Sequence, residues 1–248
     1  MNSLFALIVI VVVALLLLIF TRRQGNGRST AIRPLPACNS LSNQVGEAIE
    51  SGQQLQVSLG QASLVGAANP TSIAAIHILD YLAKDGCASG TPPMTTVGDG
   101  TLLPIAQDSL RQAHKAAGRL NEYKPAMTQF LAADSDAYAY AGGIAAILQQ
   151  GKTSSNLLVG RFGPELAIPA EIAARKNMEQ VIGTDDPSAL AVATAVTDNV
   201  LIGEELFAAG AYLENKPSQA AGLQVQDLLR WLIILTILAL AFSQLLAG

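Results

Sequence analysis

Asn156-Leu-Leu-Val-Gly160-Arg-Phe-Gly-Pro164-Glu165 is the stretch on which the fold turns. The run from Asn156 to Val159 has the length of a strand, and the glycines that follow mark a tight turn. Pro164 suits the first position of a helix, where its missing N–H is no loss. Helical spacing then continues to Lys176, which completes one strand–turn–helix unit.

The same order recurs on both sides. Downstream, Glu179 to Ile182 leads into a helix over Pro187–Thr197, and Val200 to Ile202 leads into Glu204–Glu214. Upstream, Gln54 to Leu59 precedes a helix over Pro70–Lys84, Pro93 to Val97 precedes Leu103–Ala117, and Met127 to Ala132 precedes Ala137–Gln150. Strands that alternate with helices of this length imply a parallel sheet, because a parallel return needs a crossover. Right-handed crossovers put helices on both faces, so the expected fold is a doubly wound, open α/β sheet of about six βα units, a Rossmann-like three-layer sandwich. A closed eight-unit barrel needs about 250 residues, more than lie between the ends of this pattern.

The ends have a different character. Half the residues of the 248-residue chain are hydrophobic and only 14% are charged, and the excess is concentrated at the termini. Leu4 to Phe20 is an unbroken apolar run, and Leu228 to Leu246 is a second, interrupted by Arg230, Thr236, Ser243 and Gln244. Both have the length of a membrane helix, and Trp231 suits the headgroup level. The first run lacks a basic n-region, and no small-residue cleavage site follows Phe20, so it reads as a retained anchor rather than a signal peptide. The expected division is a transmembrane helix over 1–22, a juxtamembrane linker over 23–37, the α/β domain over 38–216, a linker over 217–226 and a second transmembrane helix over 227–248.

Arg22, Arg23, Arg28 and Arg33 follow the first run, and Lys216 and Arg230 flank the second. By the positive-inside rule the α/β domain is then cytoplasmic and both termini lie outside. The lipid bilayer is thus the first expected partner. Ala239, Ser243 and Ala247 share one face of the last helix and could support a homo-oligomer. Cys38 and Cys87 lack CxxC spacing, in keeping with a reducing compartment. A net charge of −4 argues against a nucleic-acid partner.

Leu158-Val-Gly-Arg-Phe-Gly-Pro-Glu165, Gln180-Val-Ile-Gly-Thr-Asp185 and Val200-Leu-Ile-Gly-Glu-Glu-Leu-Phe-Ala-Ala-Gly-Ala-Tyr-Leu213 resemble an uncharacterised family of bacterial membrane proteins. The resemblance implies a cytoplasmic α/β domain between two spans in the bacterial inner membrane. It carries no activity, cofactor or catalytic residue with it.

In open α/β sheets, ligands bind beyond the carboxyl ends of the strands. Here that rim holds Gly60, Gln61, Gly98, Asp99, Gly100, Asp134, Gly160, Arg161, Thr184, Asp185, Gly203 and Glu204. Gly98, Asp99, Gly160, Arg161, Gly163 and Thr184 are the expected ligand contacts, with Arg161 available for a carboxylate or phosphate; the plainer reading is a tight turn with a solvated arginine. Asp134 and Asp185 loosely resemble the strand-end aspartates of haloacid dehalogenase-type phosphatases, which would make the chain a magnesium-dependent phosphate-ester hydrolase. Against that, Asp136 and Asp186 stand where aspartate caps a helix.

Ala146–Thr153 imitates a phosphate loop, but with helix before strand, the wrong order. His77 and His114 have no metal-ligand spacing, and no motif names a cofactor or a metal. Two readings therefore stand side by side: a membrane-anchored ligand-sensing or assembly module, and a hydrolase.

Overall fold

The computed structural model describes residues 35–65, 70–132 and 136–214, with scattered positions in the two terminal runs. The chain divides into two compact units, Pro34–Leu213 and a second made of Met1–Arg33 with Glu214–Gly248. In the second unit the described positions, such as Val13, Arg22 and Leu228, are helical. Among the described residues no helix is long and apolar enough to cross a membrane. The two expected spans lie largely outside those residues.

The first unit is the α/β domain. Its elements run α1 (Pro36–Ser51), β1 (Gln54–Gly60), α2 (Pro70–Ser89), β2 (Met94–Val97), α3 (Leu102–Ala116), β3 (Thr128–Phe130), α4 (Ala137–Gln149), β4 (Thr153–Arg161), α5 (Ala167–Arg175), β5 (Glu179–Thr184), α6 (Pro187–Val196), β6 (Val200–Ile202) and α7 (Glu204–Glu214). The six strands form one sheet in the order β3-β2-β1-β4-β5-β6, and every neighbouring pair is parallel. The chain thus starts in the middle, winds outward to β3, returns across the sheet through α4 and winds outward again to β6. That reversal between β1 and β4 is the topological switch point of a doubly wound sheet.

Side-chain alternation along the strands builds two cores. Val57, Leu59, Leu157, Val159, Val181 and Leu201 point to one face, where they pack with α1, α2, α3 and α7. Leu158 and Ile182 point to the other, under α4, α5 and α6 with Phe162 and Leu166. Leu157, Leu158 and Val159 have no exposed surface, and burial of each contributes about 1.5–3 kcal/mol.

Two features depart from the alternating pattern. The first is α1, a helix ahead of β1 whose Ala37, Cys38, Leu41, Val45 and Ala48 lie in the first core. It starts at Pro36, inside the stretch whose proline-rich composition reads as linker. The second is β4, which begins at Thr153 rather than Asn156, because Ser155 and Asn156 are fully buried in the sheet despite their polarity. A matching polar strip lies on β1 and β2 beneath α4. Gln56 Nε2 donates to Ser58 Oγ at 3.2 Å and to Thr96 Oγ1 at 3.0 Å, and the two hydroxyls lie 2.7 Å apart. Tyr140 of α4 donates its hydroxyl to the Thr96 carbonyl at 3.2 Å and stacks on Phe162. Burial raises its phenol well above the usual range, so it stays a donor.

At the switch point β1 and β4 converge until their backbones touch. Gly160 has φ 129°, and a Cβ there would fall inside the Leu59 carbonyl oxygen. Gly60 has φ 74°, and a Cβ there would lie 2.6 Å from the Arg161 carbonyl oxygen. Only glycine fits either place. In residues 34–213 expressed alone, Gly160→Ala is therefore expected to cost about 3 kcal/mol in urea unfolding. Gly151→Ala, at φ 72° with open space around it, is expected to cost about 1 kcal/mol. Equal losses would show that the close approach of the strands contributes nothing.

Candidate functional site

The strand ends bring most of the expected contacts to one rim, yet their backbones are already engaged. Gly60 pairs with Arg161, Gln61 N donates to the Arg161 carbonyl at 3.1 Å, and Gly98 N donates to the Gly60 carbonyl at 2.9 Å. Gly60, Gly98, Gly160 and Arg161 thus form one knot of backbone across β2, β1 and β4. Gly160 and Gly98 are buried within it, and the Arg161 side chain is exposed.

The carboxylates of the rim are mostly committed to the fold. Asp99 accepts from Thr101 N at 2.8 Å and from the Thr101 hydroxyl, which in turn holds Leu64 N at 3.0 Å. Asp136 caps α4 through Ala139 N at 3.3 Å. Asp186 caps α6 through Ser188 N at 2.8 Å and Ala189 N at 3.1 Å. Glu205 accepts from Ile202 N at 3.2 Å. Glu165 is buried, and its Oε1 accepts from Gly163 N at 2.7 Å. Gly163 stands at the head of the helical segment after β4, where a dinucleotide-binding sheet would offer its N–H groups to phosphate. Here the chain's own carboxylate takes that N–H.

Thr184 is fully buried, with its hydroxyl accepting from Asp186 N at 3.4 Å. Asp185 is exposed, and Asp134 lies outside the described residues. Among the described residues, no three His, Cys, Asp or Glu side chains gather as a metal site. In the imitation phosphate loop, α4 ends at Gln149, Gly151 takes φ 72° and β4 follows, so Lys152 precedes a strand and Thr153 opens it.

Large apolar side chains collect on the same rim, a pattern that sequence reasoning missed. Val65 lies in the loop after β1, Ile73, Ile105, Tyr138 and Ile168 in the first turns of α2 to α5, and Phe130 and Ile202 at the ends of β3 and β6; all are exposed. A βα unit puts strand ends and helix starts at one level, so only the topology gathers them. A groove of about 480 Å³ runs between α2 and α3, from Ile105 at the rim down past Asp80, Lys84, Asp108 and Ser109. The Ser109 hydroxyl donates to Asp80 there.

The histidines divide in two ways. His77 is exposed on α2. His114 is buried, with Nδ1 2.8 Å from the Leu110 carbonyl and 3.2 Å from Cys87 Sγ. Burial, partly offset by Arg119, pushes the Cys87 thiol up to about 11, so the pair packs α2 against α3 and offers no thiolate. A separation of 27 residues gives no sequence signal for it.

Asp186 gives a test of the capping assignment. The Ser188 hydroxyl, then the Ala189 N–H, hold its carboxyl below the usual range. A depressed folded value means that its stabilisation is present above the unfolded value and is lost as pH falls through the folded one. Asp186→Ala is expected to cost about 1 kcal/mol at pH 7. In acid the variant and the parent should converge, and a gap that persists at pH 2 would point to another role.

The search of curated proteins and that of solved structures both return no match. One family profile does match, that of a domain of unknown function (DUF6754), over residues 1–247. With almost the whole chain covered, and with the kinship to an uncharacterised family expected from Val200–Leu213 upheld, the protein belongs to the DUF6754 family.

Proposed function

We propose that this chain is a membrane-tethered, non-catalytic α/β module that works by assembly, with the carboxyl rim of its sheet as the contact surface. The observation that carries the reading is the division of labour on that rim. Asp99, Asp136, Glu165, Asp186 and Glu205 hold backbone N–H groups, while Val65, Ile73, Ile105, Phe130, Tyr138, Ile168 and Ile202 are left to solvent. Acidic side chains tied into caps are poor nucleophiles and poor metal ligands, whereas large apolar groups left exposed along one rim favour a contact surface. The competing hydrolase would rely on Asp134 and Asp185, and the acidic neighbour Asp186 is occupied as a cap.

The tether rests on the apolar runs Leu4–Phe20 and Leu228–Leu246, and the cytoplasmic placement on Arg22, Arg23, Arg28 and Arg33. The partner we assign is a second copy of the chain. Tethering in one bilayer raises the effective concentration of copies, and Ala239, Ser243 and Ala247 give the last helix a face on which two backbones can close. A ligand at the rim would meet the Arg161 guanidinium first, since Gly98, Gly160 and Thr184 are buried.

In mild detergent the full chain is expected to elute as a dimer. Ile105→Glu with Tyr138→Glu should shift it to monomer while its circular dichroism stays unchanged. A wild-type monomer, both in detergent and by energy transfer in vesicles, would end the assembly reading, and magnesium-dependent phosphatase activity lost in Asp185→Asn would install the hydrolase. Topology is tested separately: a cysteine at exposed Lys176 is expected to resist an impermeant maleimide in intact cells and to react after lysis. Labelling before lysis would invert the orientation.

A further inference from the structure

A second polar cluster lies at the opposite rim, where the amino ends of β4, β5 and β6 meet the first three turns of α1. Ser40 is its hub. Its hydroxyl donates to Glu179 Oε1 at 3.3 Å and accepts from Gln44 Nε2 at 3.3 Å and from Asn199 Nδ2 at 3.3 Å. A hydroxyl has one hydrogen to give, and Glu179 takes it, so both amides must turn their nitrogens toward Ser40. That leaves Gln44 Oε1 without a partner, in a side chain with no exposed surface. Ser155, the register partner of Glu179 on β4, is equally buried, and its Oγ has no partner either. Glu179 Oε2 is the third such atom.

Two oxygens out of solvent, Gln44 Oε1 and Ser155 Oγ, therefore belong to immediate neighbours of the Ser40–Glu179 pair, the carboxylate's own Oε2 is likewise unpartnered, and no cation is shown to answer its charge. The ion pairs shown among the described residues, Arg119–Glu122 and Arg175–Glu171, lie elsewhere. Burial raises the Glu179 carboxyl, the like charge of Glu47 adds to that, and the Ser40 hydroxyl lowers it. Unpartnered buried oxygens are costly, and more so around a charge. One carboxylate among neutral hydroxyl and amide oxygens is the donor set of a hard ion of low charge; a divalent ion is normally held by more carboxylate.

We propose that the niche formed by Ser40, Gln44, Ser155 and Glu179 binds a monovalent metal cation, sodium or potassium, which ties α1 to the amino ends of β4 and β5. The ion neutralises Glu179 and supplies the missing partner for Gln44 Oε1, Ser155 Oγ and Glu179 Oε2. A water molecule could bond two of these atoms but would leave the carboxylate charge unanswered.

The test is thermal unfolding of the full chain in detergent, in sodium, potassium or choline chloride at one fixed ionic strength. The melting temperature is expected to rise saturably with sodium or potassium relative to choline, with the two ions giving different midpoints. General screening gives no such difference between ions. Glu179→Gln should abolish the dependence. Ser155→Ala, which keeps the carboxylate and guards against a misfolded first variant, should raise the midpoint by about tenfold. Crystals soaked in rubidium should show anomalous density between Gln44 and Glu179. Identical melting in all three salts, or an ion response that both variants retain, overturns the site and leaves the niche to water or a proton.

Discussion

The contact on which the domain depends is the meeting of two backbones at the centre of the sheet. β1 and β4 come together so closely beyond Leu59 and Val159 that no Cβ fits at Gly160, and Gly60 lies against the Arg161 carbonyl. This pair is where the two halves of the winding join. If the strands were held apart there, the second half would dock in a different register, and α4 would lose the polar strip on which it sits. The glycines are therefore placed by packing within the fold. In a dinucleotide-binding sheet the glycines of the turn after the first strand make room for a pyrophosphate instead.

Polarity inside the sheet is the second constraint. The central strands of a parallel sheet are buried on both faces and usually read as unbroken apolar runs. Here Gln56, Ser58, Thr96, Ser155 and Asn156 are all buried within them. Each is a liability unless satisfied, and satisfaction requires one arrangement of helix on sheet. Tyr140 shows how this acts: its ring packs with Phe162 while its hydroxyl selects the Thr96 carbonyl. A helix held only by leucines could slide, and α4 is pinned.

The alternation of strand and helix was legible because most strands end at or beside a glycine, and most helices open with proline or aspartate. Gly160 to Pro164 carried that signal most clearly, and β6 and α7 matched their expected ends. The pattern lost its meaning wherever buried groups are polar. The start of β4 was hidden in Ser154-Ser-Asn156, and α1 was hidden because its apolar face is built largely from small residues behind a proline-rich stretch. The rim was legible as a place but not as a chemistry. Whether an aspartate caps or catalyses depends on where its neighbours' N–H groups point, as Asp186 shows. The apolar side chains that share the rim come from separate units, and only the topology brings them to one level.

Glu165 carries a consequence beyond its role as a cap. Because the carboxylate is covalently tied two residues from the N–H it occupies, it holds that N–H at high effective concentration. Free anions at or below the millimolar range cannot outcompete such a tethered rival. A relative with a small neutral residue in place of Glu165 would present the same turn with that N–H vacant. A single codon could therefore separate an occupied anion position from one open to metabolites, with the sheet beneath unchanged.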